Sequence, residues 1–233
     1  MTSTPRVVIM LRHPDNRNLH LHYDDTFEGL PVMVEKGPFI REYLADLKRT
    51  MDLTFDQYSR VLAFRVDLRL PCDIELDDYI DSNEVISRFF ASFKSKVKHH
   101  REMASRRYQH AHSCKVRYVW AREQGWRGRP HYHLLILLNR DAFYTVGKIA
   151  SDRTNMFSRL NEAWASALGI PADLVVGLVE IPDNATYRVA RGKSARGFGD
   201  DELGSLFRRA SYICKSATKV YGGSQHGFGC SRG

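Results

Sequence analysis

His131 and His133 stand one residue apart at the head of the apolar run LLILLN. On a strand, residues two apart face the same side, so the two imidazoles project together and could share one ion. The strand expected over 115–123 ends on Glu123, and the intervening QGWRGRP has seven residues. An antiparallel hairpin about that loop sets residue 123 opposite residue 131, on one face. A slip of one position would turn Glu123 away. Two nitrogens and one carboxylate with open positions suit Mg²⁺, Mn²⁺ or another divalent ion, not a closed structural zinc. The bland alternative is a pair of polar residues capping a strand. H-x-H also occurs at 20/22 and 110/112 in this chain of ten histidines. Only 131/133 combines a core strand with a placed carboxylate.

The second constellation is RRASYICKSATK, in which Lys215 follows Tyr212 by three residues. The spacing predicts a helix over roughly 201–221. Leu203, Leu206, Ala210, Ile213, Ala217 and Val220 form its core stripe, and Arg208, Tyr212, Lys215 and Lys219 lie on another face. Such a face is commonly just solvated and basic. The chemical alternative is a phenol that attacks a phosphodiester, with Lys215 one turn away to bind the phosphate or protonate a leaving oxygen. An ion at the histidines would polarise the same phosphate.

These residues need a scaffold, and the rest of the chain supplies one. In VLAFRVDLRLP (61–71), Leu62, Phe64, Val66, Leu68 and Leu70 share one face and Arg65, Asp67 and Arg69 the other, as in a strand with a covered face and a polar working face. The run 131–139 is apolar on both sides beyond the histidines, which marks a central strand. A hairpin is expected over 19–38, turning at Glu28-Gly29, and helices over 39–60, 83–108 and 152–168. A further strand is expected over 174–182. The order predicts an α+β, two-layer domain with a mainly antiparallel sheet of about five strands. Residues 1–60, hairpin plus helix, read as an N-terminal extension packed on a domain spanning 61–233.

Length and composition agree with a globular chain: 233 residues, 43% apolar. The charge of +8 favours a polyanionic partner, nucleic acid before membrane, because no segment is apolar enough to span a bilayer. Four scattered cysteines form no C-x-x-C pair and suit a reducing cytosol.

H-hydrophobic-H on a central strand, followed by Y-x-x-K on a later helix, resembles the HUH single-strand endonucleases that start rolling-circle replication. RPHYHLLILLNRDAFYTVG, RRASYICKSATK and the tail GFGCSRG are most similar to the inovirus-type, YagK/YfjJ-like replication proteins of phages and prophages. VLAFRVDLRLP resembles that family's first strand motif, and residues 1–60 show no part of the likeness. The resemblance implies a ferredoxin-like or RRM-like sheet. It implies metal ligation by His131, His133 and, more loosely, Glu123, a Tyr212 nucleophile and a Lys215 partner. The reaction implied is nicking and rejoining of single-stranded DNA at a replication origin through a 5′-phosphotyrosyl link. Host helicase and polymerase would be partners, in the cytoplasm of a bacterial host. No G-x-x-x-x-G-K-[ST] motif occurs, so no fused helicase is expected.

Candidate DNA contacts are Lys94 and Lys98 on the basic helix, Trp126, Arg127 and Arg129 in the hairpin loop, Arg196 in RVARGKSARGFG, and Arg208 and Lys219 beside the tyrosine. A rival reading is a non-catalytic nucleic-acid-binding module on an RRM-like sheet.

Overall fold

The computed structural model describes residues 11–72, 78–124, 129–147, 154–191, 202–217, 219 and 226–232. Near its start, β1 (Leu21–His22) pairs with β4 (Phe39–Ile40), and β2 (Thr26–Phe27) with β3 (Leu30–Pro31). The β2–β3 turn falls on Glu28 and Gly29, whose φ angles of 49° and 79° give the two left-handed positions a tight hairpin requires. Helix α1 (Arg41–Gln57) follows, then β5 (Arg60–Arg69), α2 (Glu84–Arg107), β6 (Arg117–Gln124), β7 (Pro130–Asn139) and α3 (Met156–Leu168). The chain continues through β8 (Val179–Glu180), β9 (Thr186–Ala190), α4 (Glu202–Ser211) and β10 (Phe228–Cys230).

Among the described residues, six strands form one antiparallel sheet in the order β10-β6-β7-β5-β8, with β9 also on β5. The alternation of β5 and the doubly apolar run of β7 explain its centre. Even-numbered residues (Leu62, Phe64, Val66, Leu134, Ile136, Leu138) face one side, where the stripe Val85, Phe89, Phe93 and Val97 of α2 and Trp164 of α3 bury them. Odd-numbered residues (Val61, Ala63, Val119, Ala121, Leu135, Leu137) face the other, under Leu44, Leu47 and Met51 of α1 and Leu206, Phe207 and Ala210 of α4.

The α+β class and the mainly antiparallel sheet are therefore present, but the expected two layers are three. Val61 and Ala63 of β5 and Leu135 and Leu137 of β7 carry a second, shorter apolar patch on the odd-numbered face, so both faces need helices. The face expected to be polar and working is polar at one end, where Arg65, Glu123 and His133 are buried and His131 is half-buried.

Two boundaries also move. Helix α3 begins at Met156 rather than near 152, because the Asn155 side chain caps the Ser158 N–H while the Ser158 hydroxyl accepts from the Asn155 N–H. It ends on Gly169 at φ 69°. The strand expected over 174–182 is reduced to Val179–Glu180, because its start belongs to the 3₁₀ turn Ala172–Val175. Among the described residues no helix is long and apolar enough to cross a membrane.

Candidate active site

Register decides which polar side chains meet. On one side of β7, Glu123 lies opposite His131 and Ala121 opposite His133. On the other, Asp67 lies opposite His133 and Arg69 opposite His131. This is the register that the seven-residue loop predicts, and it sets Glu123, His131, His133, Asp67 and Arg65 on the odd-numbered face. They occupy the polar end of the surface that Leu135, Leu137 and Ala63 continue as core.

One ligand atom each from Glu123, His131 and His133 lies within 4.8 Å of the others. Glu123 Oε2 is 3.4 Å from His133 Nε2 and 3.8 Å from His131 Nε2. The two imidazole rings stand nearly perpendicular, 4.9 Å apart. His133 Nδ1 donates to Asp67 Oδ1 at 2.7 Å, which fixes the ring and turns Nε2 toward the cluster. That buried Nε2 makes no hydrogen bond. An inward nitrogen left open, with the outer one tied to a carboxylate, is the arrangement expected of a metal-binding histidine. The three residues could hold a divalent ion.

The charges around Glu123 are dense. Lys219 Nζ lies 2.8 Å from Oε1, and Lys215 Nζ lies 3.0 Å from Oε2. Burial alone would raise the Glu123 carboxyl, but neighbouring His133 and Lys219 hold it far below the usual carboxylate range. Burial opposes a charge on His133 too, and the Asp67 and Glu123 carboxylates outweigh it and push the imidazole up. His131 shifts down through burial and the proximity of His133.

Tyr212 reaches this cluster because α4 stops short. The helix ends at Ser211, Tyr212–Cys214 form a 3₁₀ turn, and Lys215 leaves in extended conformation at ψ 144°. A bridge between Lys215 and Phe39, and a bond from the Ser216 N–H to the Pro38 carbonyl at 2.9 Å, hold that exit against the N-terminal segment. The Tyr212 ring packs edge-on against His133 at 5.2 Å, and the Arg65 guanidinium covers it at 4.8 Å. Lys215 Nζ donates to the Tyr212 hydroxyl at 2.7 Å. Tyrosine, lysine, carboxylate and both histidines thus share one side of the sheet.

The broken helix corrects the expectation for Lys219. A continuous helix would hold Lys219 on the exposed stripe with Arg208 and Tyr212. Instead its side chain is 0% exposed on Glu123, where burial lowers its ammonium. As placed, it neutralises a carboxylate and cannot meet DNA. Ala217, expected in the core stripe, is exposed for the same reason.

Asp67 and Arg65 were not singled out as site residues by their sequence. Their signal was the odd-numbered polar face of β5. Only the pairing of Asp67 with His133 turns it into a site. Arg65 NH2 bonds Asp67 Oδ1 at 3.0 Å, while Arg69 pairs with Glu180 at 2.7 Å, away from the cluster.

The remaining expected DNA contacts disperse. Arg208 pairs with Glu35 at 2.7 Å, and Arg129 donates to the Pro71 carbonyl. Lys94 and Lys98 belong to α2, across the sheet from Tyr212. Among the described residues no single groove joins that helix to the tyrosine face. Trp126, Arg127 and Arg196 lie outside the described residues. The other histidine pairs have local roles: His20 binds Glu42 at 2.7 Å, and His110 and His112 are exposed beyond α2.

Comparison with known proteins follows the same lines. The sequence pattern of the YagK/YfjJ C-terminal domain matches residues 22–231. It includes α1 and the N-terminal strands, so the segment expected to lie outside the likeness is largely part of it. The Escherichia coli (strain K12) protein YfjJ, described as uncharacterized, is 33% identical over 207 residues, covering 85% of this chain and 98% of that one. YagK of the same organism, described likewise, is 31% identical over 201 residues, covering 84% and 95%. A solved structure described as the N-terminal nuclease domain of minute virus of mice non-structural protein 1, with Zn²⁺ coordination in its active-site pocket, aligns over 82% of this chain and 78% of that one. Its identity is 11% and its TM-score 0.26, too low to establish a shared fold.

Proposed function

This chain belongs to the YagK/YfjJ C-terminal domain family, and from the geometry of its site we propose that it is a divalent-metal-dependent enzyme that nicks and rejoins single-stranded DNA through Tyr212. The observation that carries the reading is the meeting of Tyr212, Lys215, Glu123, His131 and His133 on one sheet face, from segments about 80 residues apart.

Glu123, His131 and His133 would hold Mg²⁺ or Mn²⁺. When bound, such an ion supplies positive charge that polarises a phosphate. The chain's own residues supply the rest. Lys215 already donates to the phenolic oxygen, and an ammonium there stabilises the oxyanion that forms as the phenol loses its proton. Arg65, stacked on the ring, fixes the angle of attack and adds a second positive charge. Tyr212 Oη forms a bond to phosphorus while the bond from phosphorus to the 3′ oxygen breaks. The 3′ oxygen leaves as a hydroxyl, its proton balancing the one the phenol lost. No water is consumed, so the phosphodiester is exchanged rather than hydrolysed, and attack by a 3′-hydroxyl reverses the step. On this reading the substrate is the origin strand of a phage, prophage or plasmid-like element in a bacterial cytoplasm, where a host helicase unwinds the duplex and a host polymerase extends the freed 3′ end.

The test is cleavage of short single-stranded oligonucleotides from the protein's own genetic element, with Mn²⁺ or with chelator. The reading expects a metal-dependent product with an extendable 3′-hydroxyl and a protein-blocked 5′ end. Cleavage that leaves a free 5′-phosphate would make the site a metal hydrolase using water. Binding without cleavage would leave a nucleic-acid-binding module.

A further inference from the structure

Across the sheet from Tyr212, a groove of about 570 Å³ opens between α2, the start of β6 and β10. Lys94, Lys98, Lys115 and Arg232 line it together with Tyr118 and Ser231, and among the described residues no Asp or Glu does. Only Lys98 has an acidic partner among the described residues, Glu102 at 3.8 Å, one turn along the same helix. Lys94, Lys115 and Arg232 line the same groove with no acidic partner among the described residues. The Lys94 ammonium is held 4.8 Å over the Tyr118 ring, and that ring is itself fixed by stacking on Phe90 at 3.5 Å. Desolvation there, then repulsion from Lys115, lowers the Lys94 ammonium. Cations drawn together without a counterion are costly, and an anion removes the cost.

We propose that this groove is a second, non-catalytic anchoring site for the backbone of single-stranded DNA. The inference rests on DNA being the substrate of the tyrosine site and adds where the strand is held away from it. Three cations without an acidic partner exceed what one phosphate ion neutralises, whereas a chain bearing a charge at every nucleotide matches them. The groove adjoins β10, an edge strand of the sheet among the described residues, so a flexible strand can round that edge from one face to the other. Tyr118 and Glu123 are five residues apart on β6, about 17 Å along the strand, and they face opposite sides of the sheet, so a strand that rounds β10 from anchor to cleavage site travels further than that.

The experiment is fluorescence anisotropy with a labelled single-stranded 20-mer in the absence of metal, so that no cleavage is needed and the groove stands or falls apart from the nuclease reading. Each phosphate contact to a single strand contributes about 0.7 to the slope of log affinity against log salt. Lys94→Gln with Lys115→Gln should flatten that slope by about 1.4, Lys115→Gln alone by about 0.7, and Lys94→Arg should keep it. An unchanged slope in the double variant overturns the proposal. So does full competition by millimolar inorganic phosphate, which would mark a single-anion site, or an equal loss measured on a duplex of the same length, which would mark a groove indifferent to strandedness. A double variant that fails to fold leaves the exposed Lys115→Gln to decide. If wild type binds the oligonucleotide with the expected slope but never forms an adduct, the anchor survives and the nuclease reading does not.

Discussion

Asp67 offers a sharp perturbation because one carboxylate serves two partners. Its Oδ1 accepts from His133 Nδ1 at 2.7 Å and from Arg65 NH2 at 3.0 Å. Asp67→Asn keeps the size and one oxygen but removes the charge. Charge-assisted hydrogen bonds are about twice as strong as neutral ones. Losing an outer partner of a metal-binding histidine typically costs about 10–100-fold in metal affinity, or about 1.4–2.8 kcal/mol. Arg65, only 4% exposed, loses its counterion as well. Breaking a buried pair costs about 3–5 kcal/mol, and the retained oxygen of asparagine should keep the loss at or below about 3 kcal/mol. Calorimetric Mn²⁺ titration well below the melting midpoint separates the effects. The variant should be folded, bind Mn²⁺ 10–100-fold more weakly than wild type by the same rule, and melt at lower temperature. Wild-type Mn²⁺ affinity in a folded Asp67→Asn protein would refute the claim that this carboxylate aims His133 at the ion.

Three further outcomes are expected. His131→Ala with His133→Ala should abolish calorimetric Mn²⁺ binding and metal-dependent cleavage while far-UV dichroism stays native; undiminished binding would remove the ion from this site. Lys219→Met strips Glu123 of its fully buried counterion and should destabilise the metal-free protein by about 3 kcal/mol. Mn²⁺ at 100 times its dissociation constant should return about 2.7 kcal/mol, and a variant whose melting ignores Mn²⁺ would contradict the assignment of Glu123 as a ligand. Ile136→Ala, in the fully buried centre of β7, should cost about 2–5 kcal/mol in denaturant unfolding; a loss under about 1 kcal/mol would mean that the two-sided core is not continuous there.

What the sequence disclosed about this site, and what it hid, follows from the range of the signals. Glu123 facing His131 was legible because loop length and strand period are local, and together they fix which side chains oppose. The central position of β7 was legible because both its faces are apolar. The third layer was not. Val61, Ala63, Leu135 and Leu137 signal a second buried face, but nothing near them in sequence says that α1 and α4 cover it. Helical spacing misled at Lys219, since Arg208, Tyr212, Lys215 and Lys219 align only on a helix that continues. The chain breaks at Ser211 where the Pro38–Phe39 segment captures Ser216 and Lys215, a tertiary contact invisible to periodicity. Asp67 lay on a recognised polar face, and its role appears only with the neighbour that β5 pairs against.

The central claim is that one phenol and one ion cluster act on the same phosphate. Its most direct measurement is peptide mapping by mass spectrometry after incubation with a cleavable single-stranded oligonucleotide. With Mn²⁺ present, the peptide containing Tyr212 should carry a nucleotide through a phosphotyrosyl bond. Chelator, Tyr212→Phe, or the paired histidine variant should each eliminate that species. A nucleotide linked to any other residue, or an undiminished adduct in Tyr212→Phe, would contradict the account.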